Sequence, residues 1–478
     1  MSTEYEVIIG LEIHAQIDTA SKFFSPADND SFGKEPNTNV TAICMGMPGT
    51  LPVPSREAIE KGAKAALALG CTLAKFSKFD RKNYFYPDLP YGFQISQFDE
   101  PISENGTVEI LIDGEKKKIG ITRLHLECDA GKLTHTGKST LLDFNRAGTP
   151  LMEIVSDPDL RSAEEAKVFA ETVQKIMRYV GSSQCDMEKG MMRFDASVSL
   201  RPMGEDKLYP RAEIKNLNSF RSLEAAIKYE VKRQRKMWDE GAPLDHEQTV
   251  GWDDERGTTE VMRTKESAAD YRYFPEPDIP PIVLTDEQIE AWKQEVPELP
   301  LAKYERFMSE FGLNETEATF YTEDQNLANL FEGTASKSGN AKAANSFVGT
   351  ILVKQLKDAG LAITDSPVTE KHLVELIKLV ADGTISNNVA KSTVFDAMMK
   401  DGRMPALIVE SEGLAQVSDA GAIEELCKKV IEMKPEIVAD VKGGKMKAMG
   451  ALVGLAMKES KGQANPQMLN DILKKLLL

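Results

Sequence analysis

Two short stretches each set metal-type ligands on one side of a strand. Gly10-Leu11-Glu12-Ile13-His14-Ala15-Gln16 and Leu124-His125-Leu126-Glu127-Cys128-Asp129 read as strands. Strand side chains alternate between faces, so Glu12, His14 and Gln16 point one way and Leu11 and Ile13 the other. By the same parity His125, Glu127 and Asp129 share a face opposite Leu124, Leu126 and Cys128. The apolar faces have a core to cover. Carboxylates and imidazoles gathered on the polar faces repel one another unless a cation lies among them. Oxygen-dominated ligation suits a hard cation, above all Mg²⁺ carrying a nucleotide phosphate. Either strand alone is explained well enough as one side of a half-solvated sheet. The two together point to a metal site.

More charged residues continue the pattern. Glu153 interrupts the apolar run Leu151-Met152-Glu153-Ile154-Val155, and a buried acid without a partner costs several kcal/mol, so it needs a cation, an arginine or a proton. A salt bridge to Arg146 or Arg161 would serve as well as a metal. Along residues 193–201, Arg193, Asp195, Ser197, Ser199 and Arg201 share one face, which could take phosphate through the arginines and a metal or nucleophile through Asp195. An exposed face with cross-strand pairs is the plainer account. Arg211, Glu213 and Lys215 repeat the theme. The stretch Asp80-Arg81-Lys82-Asn83-Tyr84-Phe85-Tyr86-Pro87-Asp88 mixes cationic donors with tyrosines, as binding of a nucleotide or a tRNA end requires. A rigid loop packed on the sheet is the alternative. No Gly-x-x-x-x-Gly-Lys-Ser/Thr loop, Gly-x-Gly-x-x-Gly or Gly-x-Ser-x-Gly motif occurs, so any ATP must be held on a sheet by metal and cationic side chains.

As for the elements that must support these residues, the first 290 residues alternate strand patterns (6–16, 108–112, 118–127 and 192–200) with a few helices. Ser55 caps a helix through Ala68, and Ser162 with Glu165 forms a capping box for a helix reaching Tyr179. Another helix starts near Ser219 and ends before Gly241. These helices are too few to alternate with every strand. The expectation is an α+β domain with a mainly antiparallel sheet. Phe274-Pro275-Glu276-Pro277-Asp278-Ile279-Pro280-Pro281 can continue neither a helix nor a central strand and closes that domain. An all-helical domain over 291–403 and a small helical tail domain over 404–478 follow, divided at Asp401-Gly402-Arg403-Met404-Pro405.

At 478 residues with a net charge of −17, the chain has no whole-body attraction to nucleic acid, but its tail reverses the sign. From residue 441 onward, Lys442, Lys445, Lys447, Lys458, Lys461, Lys474 and Lys475 face only Glu459 and Asp471. Glycines interleave the first five, and close backbone approach plus phosphate neutralisation suits an RNA contact. No segment is apolar enough to span a membrane, the start lacks a signal-peptide pattern, and the scattered cysteines fit a reducing cytoplasm.

Six stretches carry a resemblance: Gly10-Leu11-Glu12-Ile13-His14; Lys78-Phe79-Asp80-Arg81-Lys82-Asn83-Tyr84-Phe85-Tyr86-Pro87-Asp88; Gln94-Ile95-Ser96-Gln97; Asp143-Phe144-Asn145-Arg146-Ala147-Gly148-Thr149-Pro150-Leu151; Glu213-Ile214-Lys215-Asn216-Leu217-Asn218-Ser219; and Asp270-Tyr271-Arg272-Tyr273-Phe274-Pro275-Glu276-Pro277-Asp278. With Lys461-Gly462-Gln463-Ala464-Asn465-Pro466 in the tail, the whole chain resembles the B-subunit family of aspartyl/glutamyl-tRNA(Asn/Gln) amidotransferases. The resemblance implies a glutamine-synthetase-like sheet and a three-subunit complex. The A subunit releases ammonia from glutamine, and the small C subunit wraps the other two. The B subunit uses ATP and Mg²⁺ to phosphorylate the side-chain carboxylate of mischarged Glu-tRNA(Gln) or Asp-tRNA(Asn), and ammonia then displaces phosphate. Carried over by position, Glu12, His14, Glu127 and Glu153 resemble metal ligands, with Asp129 and Asp195 beside them and no role assigned to His125. Asp195, Arg193 and Lys82 are the expected catalytic groups, Arg81, Tyr84 and Tyr86 the expected contacts to phosphate or the tRNA end, and Lys442, Lys445, Lys447, Lys458 and Lys461 the expected tRNA contacts of the tail.

Two departures from the family pattern stand out. Some members carry zinc on a Cys-x-x-Cys, and here the matching stretch is Thr41-Ala42-Ile43-Cys44, so zinc is not expected. Cys128 replaces a second glutamate, and by parity it faces away from Glu127. Two other readings compete with the amidotransferase expectation: an RNA-binding scaffold with its chemistry in another subunit, which has no use for so many confined acids, and a free-standing Mg²⁺-dependent ligase acting on a small amino acid.

Overall fold

A computed structural model describes residues 4–264, 271–416, 420–460 and 463–477. Two compact units divide the chain, Met1–Ala302 and Lys303–Leu478.

In chain order the first unit contains β1 (Tyr5–Gln16), α1 (Arg56–Ala68), β2 (Thr72–Leu73), β3 (Phe76–Ser77), β4 (Asp80–Asn83), β5 (Phe93–Ser96), β6 (Ser103–Ile112) and β7 (Glu115–Cys128). There follow β8 (Lys132–His135), β9 (Thr140–Asp143), β10 (Pro150–Ser156), α2 (Ala163–Tyr179), β11 (Met192–Pro202), β12 (Ala212–Leu217) and α3 (Phe220–Asp239). The unit ends with β13 (Gln248–Asp253), β14 (Thr258–Thr264), β15 (Phe274–Pro275), β16 (Ile282–Val283) and α4 (Asp286–Glu295).

Nine of these strands form one sheet in the order β14-β13-β12-β11-β1-β10-β7-β6-β2. Its described pairs are antiparallel except β12–β13, which α3 joins as a crossover helix must join parallel strands. This is the α+β architecture expected from the sequence. One face buries Ile13, Leu124, Leu126, Ile154 and Phe194 against Ala63 and Ala66 of α1, Phe169 and Val173 of α2, and Leu223 and Ile227 of α3. The helices thus cover the apolar side of the sheet, and the polar side holds the ligand-type residues.

Helix starts follow local rules. The side chains of Ser55, Ser162 and Ser219 accept the backbone N–H groups of Ala58, Glu165 and Ser222. The capping box expected at Ser162 is only half formed. Glu165 accepts the N–H of Arg161, at 2.6 Å, instead of that of Ser162. Between β6 and β7 the chain reverses through Asp113 and Gly114, both at positive φ (50° and 80°), as a two-residue hairpin of matching twist needs.

The proline-rich segment yields only the two-residue strands β15 and β16, which pair with β4 and β3. The next helix, α4, buries Trp292 in the same core, so the first unit runs to Ala302.

The second unit is built of helices around two apolar clusters, one spanning Phe307 to Val409 and one Ile423 to Leu477. The turn expected to part them at 401–405 lies within the first cluster. Pro405 opens a helix (Pro405–Ser411) whose Ile408 and Val409 pack in that core, because proline is well accommodated at the first helical position.

Candidate functional site

Register brings the ligand-type residues together. In β1, His14 lies opposite Glu153 of β10 on one side and Arg193 of β11 on the other, and Glu153 in turn lies opposite His125 of β7. One row across four neighbouring strands therefore reads Arg193, His14, Glu153, His125. Two residues along, Glu12 faces Asp195. Cross-strand neighbours on one face stand about 5 Å apart at Cβ, close enough for their side chains to share a ligand.

The Nε2 atom of His14 lies 3.3 Å from Glu153, 3.5 Å from Glu12 and 3.9 Å from Glu127. That of His125 lies 3.4 Å from Glu153 and 3.9 Å from Glu127. Two trios could each hold a metal ion, Glu12–His14–Glu153 and His125–Glu127–Glu153, with ligand atoms within 4.8 Å of one another. Glu153 belongs to both.

Electrostatics separate the members. Burial and then repulsion from Glu153 raise the Glu12 carboxyl to about 7. Burial pushes the His14 imidazole down, but Glu153, Glu127 and Glu12 outweigh it and raise it to about 9. Burial alone would raise Glu153; His125 and His14 hold it well below the usual carboxylate range instead. Protons thus stand where a divalent cation would otherwise balance the acids. The donor set, three carboxylates and an imidazole, fits Mg²⁺ or Mn²⁺. His14 is the better imidazole ligand. Nδ1 of His125 accepts from Nε of Arg123 at 3.3 Å, which leaves the proton of a neutral ring on Nε2, the atom that faces the acids.

A cavity of about 400 Å³ opens beside the acids, lined also by Lys82, Arg123, Lys215, Tyr271 and Tyr273. Burial lowers the affinity of Lys82 for its proton, yet Glu127, Tyr273 and Glu153 more than restore it and keep the ammonium charged. Its Nζ lies 5.1 Å from the centre of the Tyr271 ring. Tyr273 stacks on Phe98 at 4.2 Å. The site thus combines an acid cluster of metal-ligand type with three cationic side chains and an aromatic wall.

Of the residues expected at the site, Glu12, His14, Glu127 and Glu153 converge. Asp129 is in neither trio; its buried carboxylate is held by Arg193 at 3.0 Å and Arg146 at 3.4 Å, which keep it below the usual range against the effect of burial. That pair also occupies Arg193. Asp195 is ion-paired to Lys215 at 2.7 Å. Neither arginine offered as a bridge to Glu153 reaches it, since Arg161 pairs with Glu6 and Arg146 with Asp129.

Arg81 is engaged in an ion pair. Its guanidinium grips the buried Glu276 through two hydrogen bonds of 2.7 and 2.8 Å and lies 4.3 Å from the centre of the Phe93 ring. Tyr84 donates to Gln94 at 3.4 Å and Tyr86 is 55% exposed. In the tail, Lys442, Lys445, Lys447 and Lys458 are exposed, Lys445 pairing with Asp440 at 2.9 Å; Lys461 lies outside the described residues. Cys44 sits against the hydroxyls of Ser25 and Thr41, at 3.0 and 3.3 Å, with no second cysteine beside it among the described residues.

Sequence reasoning gave no role to Arg123, His125, Tyr271 or Tyr273. For Arg123 and His125 the signal was present, since they share the strand parity of Glu127. The tyrosines reach the site only because β15 pairs with β4, setting Phe274 opposite Arg81 although the two are far apart in the chain.

Comparison with known proteins points the same way. The profile of the GatB/GatE catalytic domain matches residues 7–290, and that of the GatB domain matches residues 329–477. Over 475 residues, 99% of each chain, the sequence is 48% identical to the B subunit of the aspartyl/glutamyl-tRNA(Asn/Gln) amidotransferase of Thermoanaerobacter pseudethanolicus. The proteins of the same name from Thermotoga maritima and Carboxydothermus hydrogenoformans are 47% and 45% identical, over 99% and 98% of each chain.

Proposed function

The chain belongs to the GatB/GatE family, and from that premise we propose that it is the B subunit of a tRNA-dependent amidotransferase, the subunit that activates the misacylated amino acid with ATP. Its substrates on this reading are Glu-tRNA(Gln), Asp-tRNA(Asn) or both, and its partners are the A subunit, which releases ammonia from glutamine, and the C subunit.

A carboxylate is a poor acyl donor because oxide does not leave. Attack of the substrate's carboxylate oxygen on the γ-phosphorus of ATP breaks the bond to the bridging oxygen, releases ADP and yields an acyl phosphate. Ammonia then adds to the carbonyl carbon, phosphate departs with the electron pair, and a proton is lost from nitrogen. Such transfers demand positioning and charge neutralisation more than a protein nucleophile. A bound Mg²⁺ would neutralise the triphosphate, and Glu12, His14, Glu127 and Glu153 are the residues to hold it. Lys82, Arg123 and Lys215 face the same cavity and offset the charge of the phosphates. Tyr271 and Tyr273 offer a wall against which a terminal base or the aminoacyl ester can pack. The tail lysines would meet the tRNA backbone.

One observation carries this reading: a carboxylate, Glu153, shared between imidazoles of the two strands that flank its own, on a sheet face that also presents cations to a cavity. A scaffold that only positions RNA has no need of it. The test uses the complex with its A and C subunits, given ATP, Mg²⁺, Glu-tRNA(Gln) and ammonium chloride, which bypasses the glutaminase. Glu153→Gln and Glu127→Gln should each lower formation of ADP and Gln-tRNA by about a hundredfold or more while tRNA affinity stays within about twofold. Unchanged turnover in both would place the chemistry elsewhere in the complex.

A further inference from the structure

The helical second unit holds a cavity of its own, about 410 Å³, between residues 340–347, the helix Glu370–Ala381 and the helical turn that starts at Asn387. Phe347, Ile377 and Val380 supply an apolar wall, and Lys342, Asn387 and Lys391 a polar one. The side chains of those last three make no hydrogen bond or ion pair among the described residues. No carboxylate lines the cavity among those residues either, although the chain has 75 acids against 58 lysines and arginines.

The backbone supplies a second observation. Two stretches that line the cavity are wound as π-helix, Ser346–Leu352 and Ala390–Val394. Phe347 belongs to the first and Lys391 to the second. Such wide turns are rare, and they recur where a helix serves a functional site.

This combination selects an anion with a flat apolar body. Free phosphate has no use for the apolar wall, and an apolar protein segment gains nothing from two unpaired ammonium groups. A nucleotide satisfies both walls, its base against the apolar side and its phosphates against the lysines. A duplex is too wide for a cavity of this size, whereas loops of RNA present splayed-out bases one at a time.

We infer that this slot takes one unstacked base from a loop of the tRNA, with Lys342 and Lys391 on the flanking phosphates and the Asn387 amide on the base edge. An amide both donates and accepts, so it can pair with the edge of any base. The inference rests on the tRNA-dependent reading above. To the charge of the lysine tail it adds a contact that senses a base.

The experiment measures tRNA binding by the assembled complex on filters across a salt series. Ala381→Phe puts a ring into the slot from an exposed helix end. It should weaken binding about tenfold and leave the salt slope unchanged, because it excludes a base and removes no phosphate contact. Lys342→Gln combined with Lys391→Gln should also weaken binding about tenfold, but should lower the slope by about 1.5. Transfer RNA lacking one loop base per molecule gives the deciding readout. With the wild type, removal of one such base should cost about tenfold in affinity, and with Ala381→Phe the same removal should cost nothing. Melting temperature and co-purification of the A and C subunits report fold and assembly for each variant. Should Ala381→Phe melt early, Asn387→Ala decides, and the cost of removing that base should fall to about threefold or less. Wild-type affinity in Ala381→Phe, or base removals that weaken wild type and variants alike, would overturn the assignment. Loss of a partner subunit from a folded Ala381→Phe would make the slot a protein interface and overturn it too. Binding of free AMP or UMP that Ala381→Phe abolishes, with tRNA affinity untouched, would give the slot to a mononucleotide instead. A wild-type complex with no affinity for tRNA would defeat the tRNA-dependent reading itself.

Discussion

Glu153 is flanked by two imidazoles and is the one carboxylate common to both trios. Metal ligands bind deprotonated, so a cation must displace the protons that now stabilise this cluster. Glu12 titrates at about 7 and His14 at about 9. Affinity for Mn²⁺ should therefore climb steeply with pH below about 7, where both groups carry protons, more gently between about 7 and 9, and level off above. Calorimetric titration of the complex from pH 6 to 9 checks this, and a flat profile would show that these groups are not the ligands. Arg81 makes a different prediction. Its guanidinium neutralises the buried Glu276, and removing one partner of such a pair strands a charge. Arg81→Ala should cost about 3 kcal/mol of stability, read from the shift of the urea midpoint. A stable variant that fails to bind nucleotide would restore the phosphate-contact role.

Strands position the chemistry here, and strand parity was the most legible signal in the sequence. The alternation in residues 10–16 and 124–129 placed Glu12 with His14 and His125 with Glu127 on shared faces, as they are in the fold. Parity also kept Cys128 on the opposite, buried side of β7. What parity leaves open is register, since sliding β10 by one residue against β1 would turn Glu153 into the core. The β6–β7 pairing depends on close approach at Gly106, opposite Ile121, where a Cβ would run into Sγ of Cys71 and lie 2.7 Å from the Leu69 carbonyl oxygen. A backbone oxygen cannot rotate away. Gly106→Ala should cost about 1–3 kcal/mol and lower the melting temperature of the full chain. Gly114→Ala in the hairpin turn meets open space but keeps a φ of +80°. It should cost about 1 kcal/mol by strain alone. Equal losses at the two sites would refute the steric account.

At the scale of the whole chain, charge is unevenly distributed: −17 overall, with the sign reversed in the tail that begins at residue 441. Among the described residues no helix is long and apolar enough to cross a membrane. The exposed lysines at 442, 445, 447 and 458 are the sequence's best candidates for contacts with phosphate. Replacing all four by alanine should weaken tRNA binding by the complex and reduce the slope of log affinity against log salt by up to about 3. Turnover at saturating tRNA should hold. An unchanged salt slope would remove the tail from the tRNA interface.

Composition and periodicity suffice for what depends on near neighbours in the chain. The caps at Ser55, Ser162 and Ser219, the helices they start, the alternating faces of β1 and β7 and the basic tail are all of this kind, because propensity and parity act over a few residues. The site itself needs distant ones. Glu153 finds His14 and His125 only through strand pairing, Asp129 is drawn away from the acid cluster by Arg193 and Arg146, and Tyr271 reaches Lys82 because a two-residue edge strand docks beside β4. Which of several acids meets a metal and which meets an arginine is decided by register and packing across the sheet, and those are properties of the folded chain.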